Sequence, residues 1–285
     1  MKVLLTGSNG QLGRCFQDRL PAGWQVWATD TAELDITDYA KVLAAVKECQ
    51  PDAIVNAAAY TAVDKAESEP ELAALVNKTG PENLARAAKE VGARLVHVST
   101  DYVFDGTATV PYVETDKTNP LGVYGQTKLD GEIAVSTVLP DAIIIRTAWV
   151  FSEYGNNFVK TMLRLAKDRD ELSIVSDQRG CPTYAGDIAQ AIIDLLEKEA
   201  EAGIYHYCGD NEVAWSDFAD AIFSSAKKQG MLANTPVVNA ISTDQYPTPA
   251  KRPSYSTLNN NKIIQIGITP SDWLKAISLV LSKLG

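Results

Sequence analysis

A chain of 285 residues that is 46% apolar and 22% charged has the composition of a folded globular protein, which excludes a disordered one. A net charge of −10 without basic runs argues against binding to nucleic acid or to a membrane surface. No apolar run approaches the roughly 20 residues of a spanning helix, and the start is too short in its apolar part for a secretory signal, so we expect a cytoplasmic protein. The four cysteines, Cys15, Cys49, Cys181 and Cys208, lack the paired spacing of a zinc site or a disulfide framework.

The chain begins with a predicted strand, a glycine-rich turn and a helix. The apolar run Lys2–Thr6 is of strand type, the string Gly7-Ser8-Asn9-Gly10-Gln11-Leu12-Gly13 follows it, and a helical pattern continues to Leu20. Glycines allow the backbone to approach a pyrophosphate, whose charge is favoured at the positive end of a helix. The position of this turn predicts a dinucleotide site. Its residues are Gly7, Asn9, Gly10, Gln11, Leu12 and Gly13.

A second predicted strand, Gln25–Thr29, ends at Asp30, where an acidic residue can bond an adenosine ribose. Such an acid favours NADH over NADPH, and the alternative is a solvated loop residue. Asp35 and Ile36 follow in a short connection and are placed beside the adenine. Residues 31–33 offer no clamp for a 2′-phosphate, and Arg14 is the nearest candidate for one.

Two more predicted strands continue the alternation of strands and helices. The first, Ala53–Asn56, opens into the small residues Ala58 and Ala59 and then Tyr60, where backbone can approach a flat cofactor, although small residues also serve packing. A long helix is predicted from residue 70 to about residue 91. The next strand contains His97, expected in the core, and ends at Ser99 and Thr100, whose hydroxyls lie where open α/β sheets bind ligands. The alternation predicts a doubly wound parallel sheet of the Rossmann type.

Tyr124 and Lys128 are four residues apart in a predicted helix, which places a phenol and an ammonium on one face. A nearby positive charge favours the phenolate, so the pKa of Tyr124 is expected to fall from its ordinary value of about 10. The pair then suits proton transfer, although an exposed helix turn with an incidental Tyr and Lys is the alternative. Combined with the glycine turn and the Thr100 hydroxyl, the pair predicts one reaction site.

The second half of the chain is predicted to form a smaller, interleaved α/β lobe for the substrate. We assign residues 1–150 to the dinucleotide-binding domain, with 181–210 returning to it, and residues 151–180 and 211–285 to the substrate lobe. Cations in this half are candidates for binding a diphosphate by charge-assisted hydrogen bonds, and the alternative for each is a solvated surface charge. They are Lys160, Arg164, Arg179, Lys251 and Arg252, the last of which is stiffened by flanking prolines.

The combined motifs resemble the extended short-chain dehydrogenase/reductase superfamily, which acts largely on nucleotide sugars. They are Gly7/Gly10/Gly13, Ser99-Thr100 and Tyr124-x-x-x-Lys128. Longer strings, over nearly the whole chain, resemble the dTDP-4-dehydrorhamnose reductase family within it. Examples are Ala62-Val63-Asp64-Lys65-Ala66-Glu67, Ser99-Thr100-Asp101-Tyr102-Val103-Phe104-Asp105-Gly106, Arg146-Thr147-Ala148-Trp149-Val150-Phe151 and Asp177-Gln178-Arg179-Gly180-Cys181-Pro182-Thr183.

This resemblance implies that NADPH or NADH reduces the C4 ketone of dTDP-4-dehydro-6-deoxy-L-mannose to give dTDP-L-rhamnose. Tyr124 would donate a proton to the C4 oxygen, Thr100 would hydrogen-bond that oxygen, and Lys128 would lower the tyrosine pKa and bond the nicotinamide ribose. The implied substrate-binding residues are Thr61, Val63, Thr100, Asp101, Trp149, Asn156, Lys160 and Arg252.

This resemblance leaves three alternative functions open, and the chain departs from the family in the residues of a described metal site. An epimerase or a 4,6-dehydratase would use the same scaffold, and a reductase-like regulatory subunit would need no catalysis. In the typical dehydratase pattern an Asp-Glu pair follows the hydroxyl, whereas here Asp101 leads into Tyr102. Some family members are described as dimers bridged by magnesium through glutamates near the first helix and the C-terminus. The corresponding stretches, residues 14–16 and 282–285, contain no carboxylate side chain, so we expect no metal and a monomer or weak homodimer.

Overall fold

The computed structural model describes residues 1–285 as alternating strands and helices. The strands are β1 (Lys2–Thr6), β2 (Gln25–Thr29), β3 (Ala53–Asn56), β4 (Arg94–Thr100), β5 (Ile143–Thr147), β6 (Val150–Phe151), β7 (Glu171–Val175), β8 (Arg179–Gly180), β9 (Thr183–Tyr184), β10 (Gly203–His206), β11 (Val213–Ala214) and β12 (Val237–Ile241). The helices are α1 (Gln11–Asp18), α2 (Tyr39–Cys49), α3 (Val63–Ala66), α4 (Pro70–Ala74), α5 (Gly80–Val91), α6 (Val123–Val138), α7 (Phe158–Leu165), α8 (Ala185–Glu197), α9 (Trp215–Lys228), α10 (Asn261–Gln265) and α11 (Trp273–Leu284).

Six parallel strands form the central sheet, in the order β10-β5-β4-β3-β1-β2. Because β1 lies between β2 and β3, the chain winds outward from it in both directions. In open α/β sheets such a reversal leaves a crevice beyond the carboxyl ends of the strands, where ligands bind. Gly7 follows β1 at this edge, Ala57 follows β3, and Thr100 ends β4. The predicted doubly wound parallel sheet is confirmed.

Helices cover both faces of the sheet, because side chains along each strand point alternately to the two sides. Val3 and Leu5 of β1 pack into a core that includes α1 and α8, whereas Leu4 packs into a second core with α2 and α5. All three side chains are fully buried, and each such burial contributes roughly 1.5–3 kcal/mol relative to exposure. His97 in β4 is also fully buried, and its Nδ1 lies 2.9 Å from Nδ2 of Asn56. The expected core position of His97 is confirmed.

The helix predicted from residue 70 to residue 91 contains a wider turn in its middle. A π-helical turn, Leu75–Thr79, joins α4 to α5 without a break in the helical path. α5 begins at Gly80, where a Cβ atom would lie 2.5 Å from Cδ1 of Ile36. The glycine therefore leaves room for the Ile36 side chain.

The rest of the chain packs against the end of this sheet. It contains three two-stranded sheets, which pair β6 with β9, β7 with β12 and β8 with β11. The chain returns to the central sheet at β10, which pairs with β5. Phe218 of α9 and Trp273 of α11 belong to the same buried cluster as Val3 of β1, so one core runs continuously from the sheet into these helices. No helix is both long enough and apolar enough to cross a membrane.

Candidate active site

A cleft of about 960 Å³ lies at the carboxyl edge of the sheet and is lined by both halves of the chain. It extends from the glycine turn to α7 and α9. Most of the residues predicted for cofactor, catalysis and substrate line this one cavity. They are Gly7, Gly10, Gln11, Leu12, Asp30, Asp35, Ile36, Ala58, Ala59, Thr61, Val63, Thr100, Asp101, Tyr124, Lys128, Trp149 and Asn156.

Five predicted positions lie outside the cleft lining: Asn9, Gly13, Tyr60, Lys160 and Arg252. The Asn9 side chain is exposed and accepts from Arg14, and Gly13 packs directly against the backbone of Gly7. The Tyr60 hydroxyl donates a hydrogen bond to the Glu69 carboxylate at 2.7 Å.

Lys160 and Arg252 are both engaged by other residues of the chain. Nζ of Lys160 donates to the backbone carbonyl of Glu153 at 3.2 Å. Arg252 donates to both oxygens of Asp64, at 2.9 and 2.7 Å, and this contact lowers the pKa of the Asp64 carboxyl. Arg179 is ion-paired as well. A diphosphate that used Arg252 would therefore have to replace Asp64 as its partner.

The glycine turn brings three backbone segments closer than side chains would allow. Gly7 has a φ of +69°, and a Cβ on it would lie 2.6 Å from the backbone nitrogen of Ala58. A Cβ on Gly13 would lie 2.2 Å from the carbonyl oxygen of Gly7. α1 begins directly after Gly10, and neither an acidic side chain in its first turn nor a side-chain cap covers its N-terminal N–H groups. The turn therefore fits a pyrophosphate.

Asp30 is fixed toward the glycine turn by two backbone contacts. Its carboxylate accepts from the N–H of Asn9 at 2.9 Å and from the N–H of Thr31 at 2.8 Å. The guanidinium of Arg14 donates to the side-chain carbonyl of Asn9 at 3.2 Å. Asp30, which is predicted to bond the ribose, and Arg14, which is the candidate for binding a 2′-phosphate, thus both contact Asn9.

This arrangement predicts opposite effects of two substitutions on cofactor preference. We expect Asp30→Asn to lower kcat/KM with NADH by about tenfold, because a charged hydrogen bond to the ribose is worth about 1.5–3 kcal/mol. Arg14→Gln is expected to lower kcat/KM with NADPH and to leave the NADH value unchanged. Steady-state kinetics with each cofactor measure both. Equal losses with the two cofactors in either variant would show that these residues do not discriminate between them.

Thr100 and Asp101 form a hydrogen-bonded pair at the end of β4. The Thr100 hydroxyl donates to the Asp101 carboxylate at 2.9 Å and accepts from the N–H of Tyr102 at 3.2 Å. Asp101 is buried, and burial raises the pKa of its carboxyl to about 6. Both side chains line the cleft, so a hydroxyl and a carboxylate face the same part of the cavity.

α6 brings Tyr124 and Lys128 to this part of the cleft, one turn apart. Nζ of the buried Lys128 donates to the carbonyl oxygen of Val98 in β4 at 2.7 Å. A Cβ on Gly125 would lie 2.2 Å from the carbonyl oxygen of Tyr102, so a glycine is needed for α6 to approach the end of β4. The Tyr102 and Tyr124 rings meet edge to face with centroids 5.5 Å apart.

The protonation of Tyr124 differs from the sequence expectation. Burial raises the pKa of its phenol to about 12, against an opposing contribution from the Thr100 hydroxyl. Burial also lowers the pKa of Lys128 to about 8. The pKa of Tyr124 is therefore raised in this structure rather than lowered as expected, because desolvation of the phenolate outweighs its favourable contacts. Tyr124 therefore holds its proton at neutral pH, which is the state a proton donor needs.

An aromatic wall, formed by Trp149, Phe158 and Trp215, closes the other side of the cleft. The Trp149 and Trp215 rings stack with centroids 3.5 Å apart, and Phe158 contacts Trp215 at 4.8 Å. Trp149 has a φ of +46°, a conformation that costs about 1–3 kcal/mol and is typical of functional sites. Gly180 leaves room for it, since a Cβ there would lie 2.6 Å from the indole.

Sequence reasoning missed two residues that shape the site. Trp215 begins α9, in the predicted substrate lobe, and no local pattern in the sequence marks it as a cleft residue. Asn77 is buried in the π-helical turn, where its amide binds both backbone groups of Tyr60 and the hydroxyl of Thr127. Asn77 thereby joins the segment after β3 to α6. No sequence pattern marks Asn77, which is followed by Lys78 and Thr79, although π-helical turns are frequent at functional sites.

The fold and the cleft together define a nicotinamide-dependent enzyme of the short-chain dehydrogenase/reductase type. A glycine turn, a strand-end hydroxyl and a Tyr/Lys pair share one cavity at the switch point of a parallel sheet.

Comparison with known proteins identifies the family. The family model of the RmlD substrate binding domain matches residues 1–285. The dTDP-4-dehydrorhamnose reductase of Aggregatibacter actinomycetemcomitans is 50% identical over 97% of each chain. A crystal structure of a dTDP-4-dehydrorhamnose reductase from Clostridium acetobutylicum is similar with a TM-score of 0.94 and 41% identity, over 100% of this chain and 99% of that one. Another crystal structure, of the dTDP-4-dehydrorhamnose reductase from Bacillus anthracis in complex with NADP, is similar with a TM-score of 0.93 and 38% identity, over 99% of each chain. This chain belongs to the dTDP-4-dehydrorhamnose reductase family, and the resemblance read from the sequence is confirmed.

Proposed function

We propose that this chain reduces the C4 ketone of dTDP-4-dehydro-6-deoxy-L-mannose to dTDP-L-rhamnose with NADPH or NADH. The observation that carries the proposal is the shared cleft of Thr100, Tyr124 and Lys128 with the glycine turn, in a chain of this family. Other enzymes on this scaffold share the turn, so the substrate is assigned through family membership and the chemistry through the cleft.

The residues around the glycine turn would hold the cofactor. The N-terminus of α1 suits the pyrophosphate, Asp30 suits the adenosine ribose, and Asp35 and Ile36 lie where the adenine would pack. Ala58 and Ala59 leave space for the flat ring, and Lys128 would bond the nicotinamide ribose. When bound, the reduced cofactor supplies the hydride, and the protein's part is orientation and proton transfer.

Tyr124 supplies the proton in this proposal. Negative charge develops on the C4 oxygen during reduction, and a protonated phenol beside it neutralises that charge. The raised pKa of Tyr124 keeps the proton in place until then. The Thr100 hydroxyl, whose single proton is bonded to Asp101 in this structure, would turn to donate a second hydrogen bond to the same oxygen. The Lys128 ammonium stabilises the phenolate that remains.

The remaining cleft residues would orient the sugar and its carrier. Trp149 offers a flat apolar surface to the cavity, and Val63 and Asn156 line the same cavity. Thr61 and Asp101 add polar groups for sugar hydroxyls. Lys160 and Arg252 remain candidates for the diphosphate end, on the condition that Arg252 exchanges Asp64 for phosphate.

Turnover distinguishes this proposal from its rivals. We expect purified protein supplied with dTDP-4-dehydro-6-deoxy-L-mannose to consume reduced cofactor steadily and to produce dTDP-L-rhamnose. Loss of cofactor absorbance and identification of the sugar measure this. An epimerase or dehydratase would return its cofactor unchanged, and a regulatory subunit would show no turnover. Either result would overturn the proposal.

We propose that the protein is a monomer or a weak homodimer and that no metal bridges its subunits. We also propose that it is located in the cytoplasm. Size-exclusion chromatography across a range of protein concentrations, with and without a chelator, tests the first part. We expect the elution to be unaffected by the chelator. A dimer that dissociates on chelation would contradict this.

A further inference from the structure

The face of α6 that carries Tyr124 and Lys128 continues to a third buried polar residue, Glu132. Its side chain is 3% exposed and is held by Arg146 in β5, which is equally buried. Nε of Arg146 donates to Oε1 of Glu132 at 3.0 Å, and its terminal nitrogen donates to Oε2 at 2.7 Å. Neither residue lines the cleft, and neither has a role in the reaction as described so far.

The carboxylate of Glu132 is also connected to the floor of the cleft. The Ser99 hydroxyl donates to Oε1 of Glu132 at 2.5 Å, and Ser99 is paired with Arg146 across the sheet. Ser99 directly precedes Thr100 and lines the cleft. Glu132 therefore bridges α6, β4 and β5 immediately beneath the reacting groups.

Lys128 lines the cleft and lies on the same face of α6 as this carboxylate. Its Nζ is hydrogen-bonded to the carbonyl of Val98, the residue before Ser99, and it is one helical turn from Glu132. Burial disfavours the charged form of Lys128, and the carboxylate of Glu132 opposes that effect. A buried ion pair is often replaceable by apolar residues without loss of stability, so packing alone does not explain this one.

We propose that Glu132, held in place by Arg146, is a positioning residue that keeps the Lys128 ammonium charged for the reaction at Tyr124. This inference rests on the proposed reductase function. In this proposal Glu132 acts by maintaining the positive charge of Lys128.

The other charged and titratable groups around Lys128 do not change charge in the pH range that matters. His97 in β4 is buried and its pKa is lowered well below the ordinary value, so the imidazole is neutral. Asp101, after β4, has a pKa of about 6 and is ionised above pH 7. Tyr124 stays protonated, and the guanidinium of Arg146 is always charged. Between pH 7 and pH 9, Lys128 is therefore the group of this set that titrates.

Loss of the Glu132 charge is expected to shift the alkaline limb of the pH profile in one direction. Activity needs the charged form of Lys128 and is lost as the pH rises through its pKa. Removing the negative charge of Glu132 lowers that pKa further, so the alkaline limb of the pH profile moves to lower pH. A shift of about one unit corresponds to a moderate electrostatic interaction.

The test compares Glu132→Gln with Asp130→Asn, which removes the same charge from the outward side of α6. Asp130 accepts only from Gln126 on the same helix. Two pH profiles are compared, that of kcat/KM and that of NADPH affinity, the latter measured by fluorescence. In Glu132→Gln the midpoint of the alkaline limb of each profile should move lower by about one pH unit. In Asp130→Asn it should stay in place. Glu132→Asp should restore most of the wild-type profile. The proposal would be overturned if the alkaline limbs of Glu132→Gln did not move, or if kcat/KM and NADPH affinity fell by the same factor at every pH.

A second variant removes the risk that an unpaired Arg146 prevents folding. Glu132→Gln combined with Arg146→Met removes both buried charges, a change that proteins often tolerate. The alkaline limb should again move to lower pH, but by less than in Glu132→Gln, because the positive charge of Arg146, which repels the Lys128 ammonium, is lost as well. Because NADPH affinity is measured without turnover, this readout stands apart from the proposed reaction. A wild-type protein that binds NADPH but does not turn over the sugar would refute the function, whereas an unmoved limb in the variants would refute the role of Glu132.

Discussion

Replacing Tyr124 with phenylalanine is expected to lower the turnover of dTDP-4-dehydro-6-deoxy-L-mannose by about 10²–10⁴-fold, the usual contribution of a positioned proton donor. The substitution removes one hydroxyl from a half-buried ring and keeps the edge-to-face contact with Tyr102. Folding and NADPH affinity should therefore be preserved. Single-turnover kinetics measure the chemical step, and fluorescence titration measures cofactor binding.

A matched control is Tyr112→Phe, which removes a buried hydroxyl elsewhere in the fold. The Tyr112 hydroxyl donates to Asp105 at 3.2 Å and accepts from the N–H of Ala108 at 3.1 Å. Its loss should cost about 1 kcal/mol of stability and leave turnover unchanged. If Tyr124→Phe kept full turnover, or lost no more than the control, Tyr124 could not be the proton donor.

The second large effect is expected from Gly13→Ala. A Cβ at this position would lie 2.2 Å from the carbonyl of Gly7, so α1 must move away from the turn that it follows. Overpacking of this kind costs about 1–3 kcal/mol. The N–H groups of the turn move with the helix, and NADPH affinity should therefore fall by roughly tenfold to a hundredfold. Fluorescence titration with NADPH measures it.

Gly92→Ala is the control for the loss of a glycine as such. Gly92 follows α5 with a φ of +72°, and no atom lies within 4 Å of a Cβ built there. The alanine should cost about 1 kcal/mol of stability through its backbone conformation and leave NADPH affinity unchanged. Comparable losses of affinity in the two variants would indicate that the turn geometry is not specific to the cofactor.

The sequence was sufficient for the parts of the site that rest on local patterns. The strand, turn and helix from Lys2 to Asp18 follow from an apolar run, closely spaced glycines and helical periodicity. The pair Tyr124 and Lys128 follows from helical spacing, and Thr100 from its place at the end of a strand. In a parallel sheet the carboxyl ends of all strands meet at one edge, so separate local predictions gave one cavity.

The parts that could not be predicted depend on contacts between distant segments. Arg252 looked like a free cation, but its partner Asp64 is 188 residues away in the chain. Trp215 reaches the cleft only because α9 packs beside the Trp149 loop. The pKa of Tyr124 depends on how deeply α6 is buried, which spacing along the helix does not reveal. In each case the result depends on packing between segments that are distant in the chain, which a short-range pattern does not reveal.

The central claim is that Tyr124 and the nicotinamide site act on the same carbonyl group. The most direct measurement supplies NADPH carrying deuterium at the transferable position together with dTDP-4-dehydro-6-deoxy-L-mannose, and locates the deuterium in the product by NMR. We predict deuterium at C4 of dTDP-L-rhamnose with the wild-type protein, and almost none in the same time with a Tyr124→Phe variant that still binds NADPH. A sugar product without deuterium at C4, or equal labelling by the two proteins, would contradict the account.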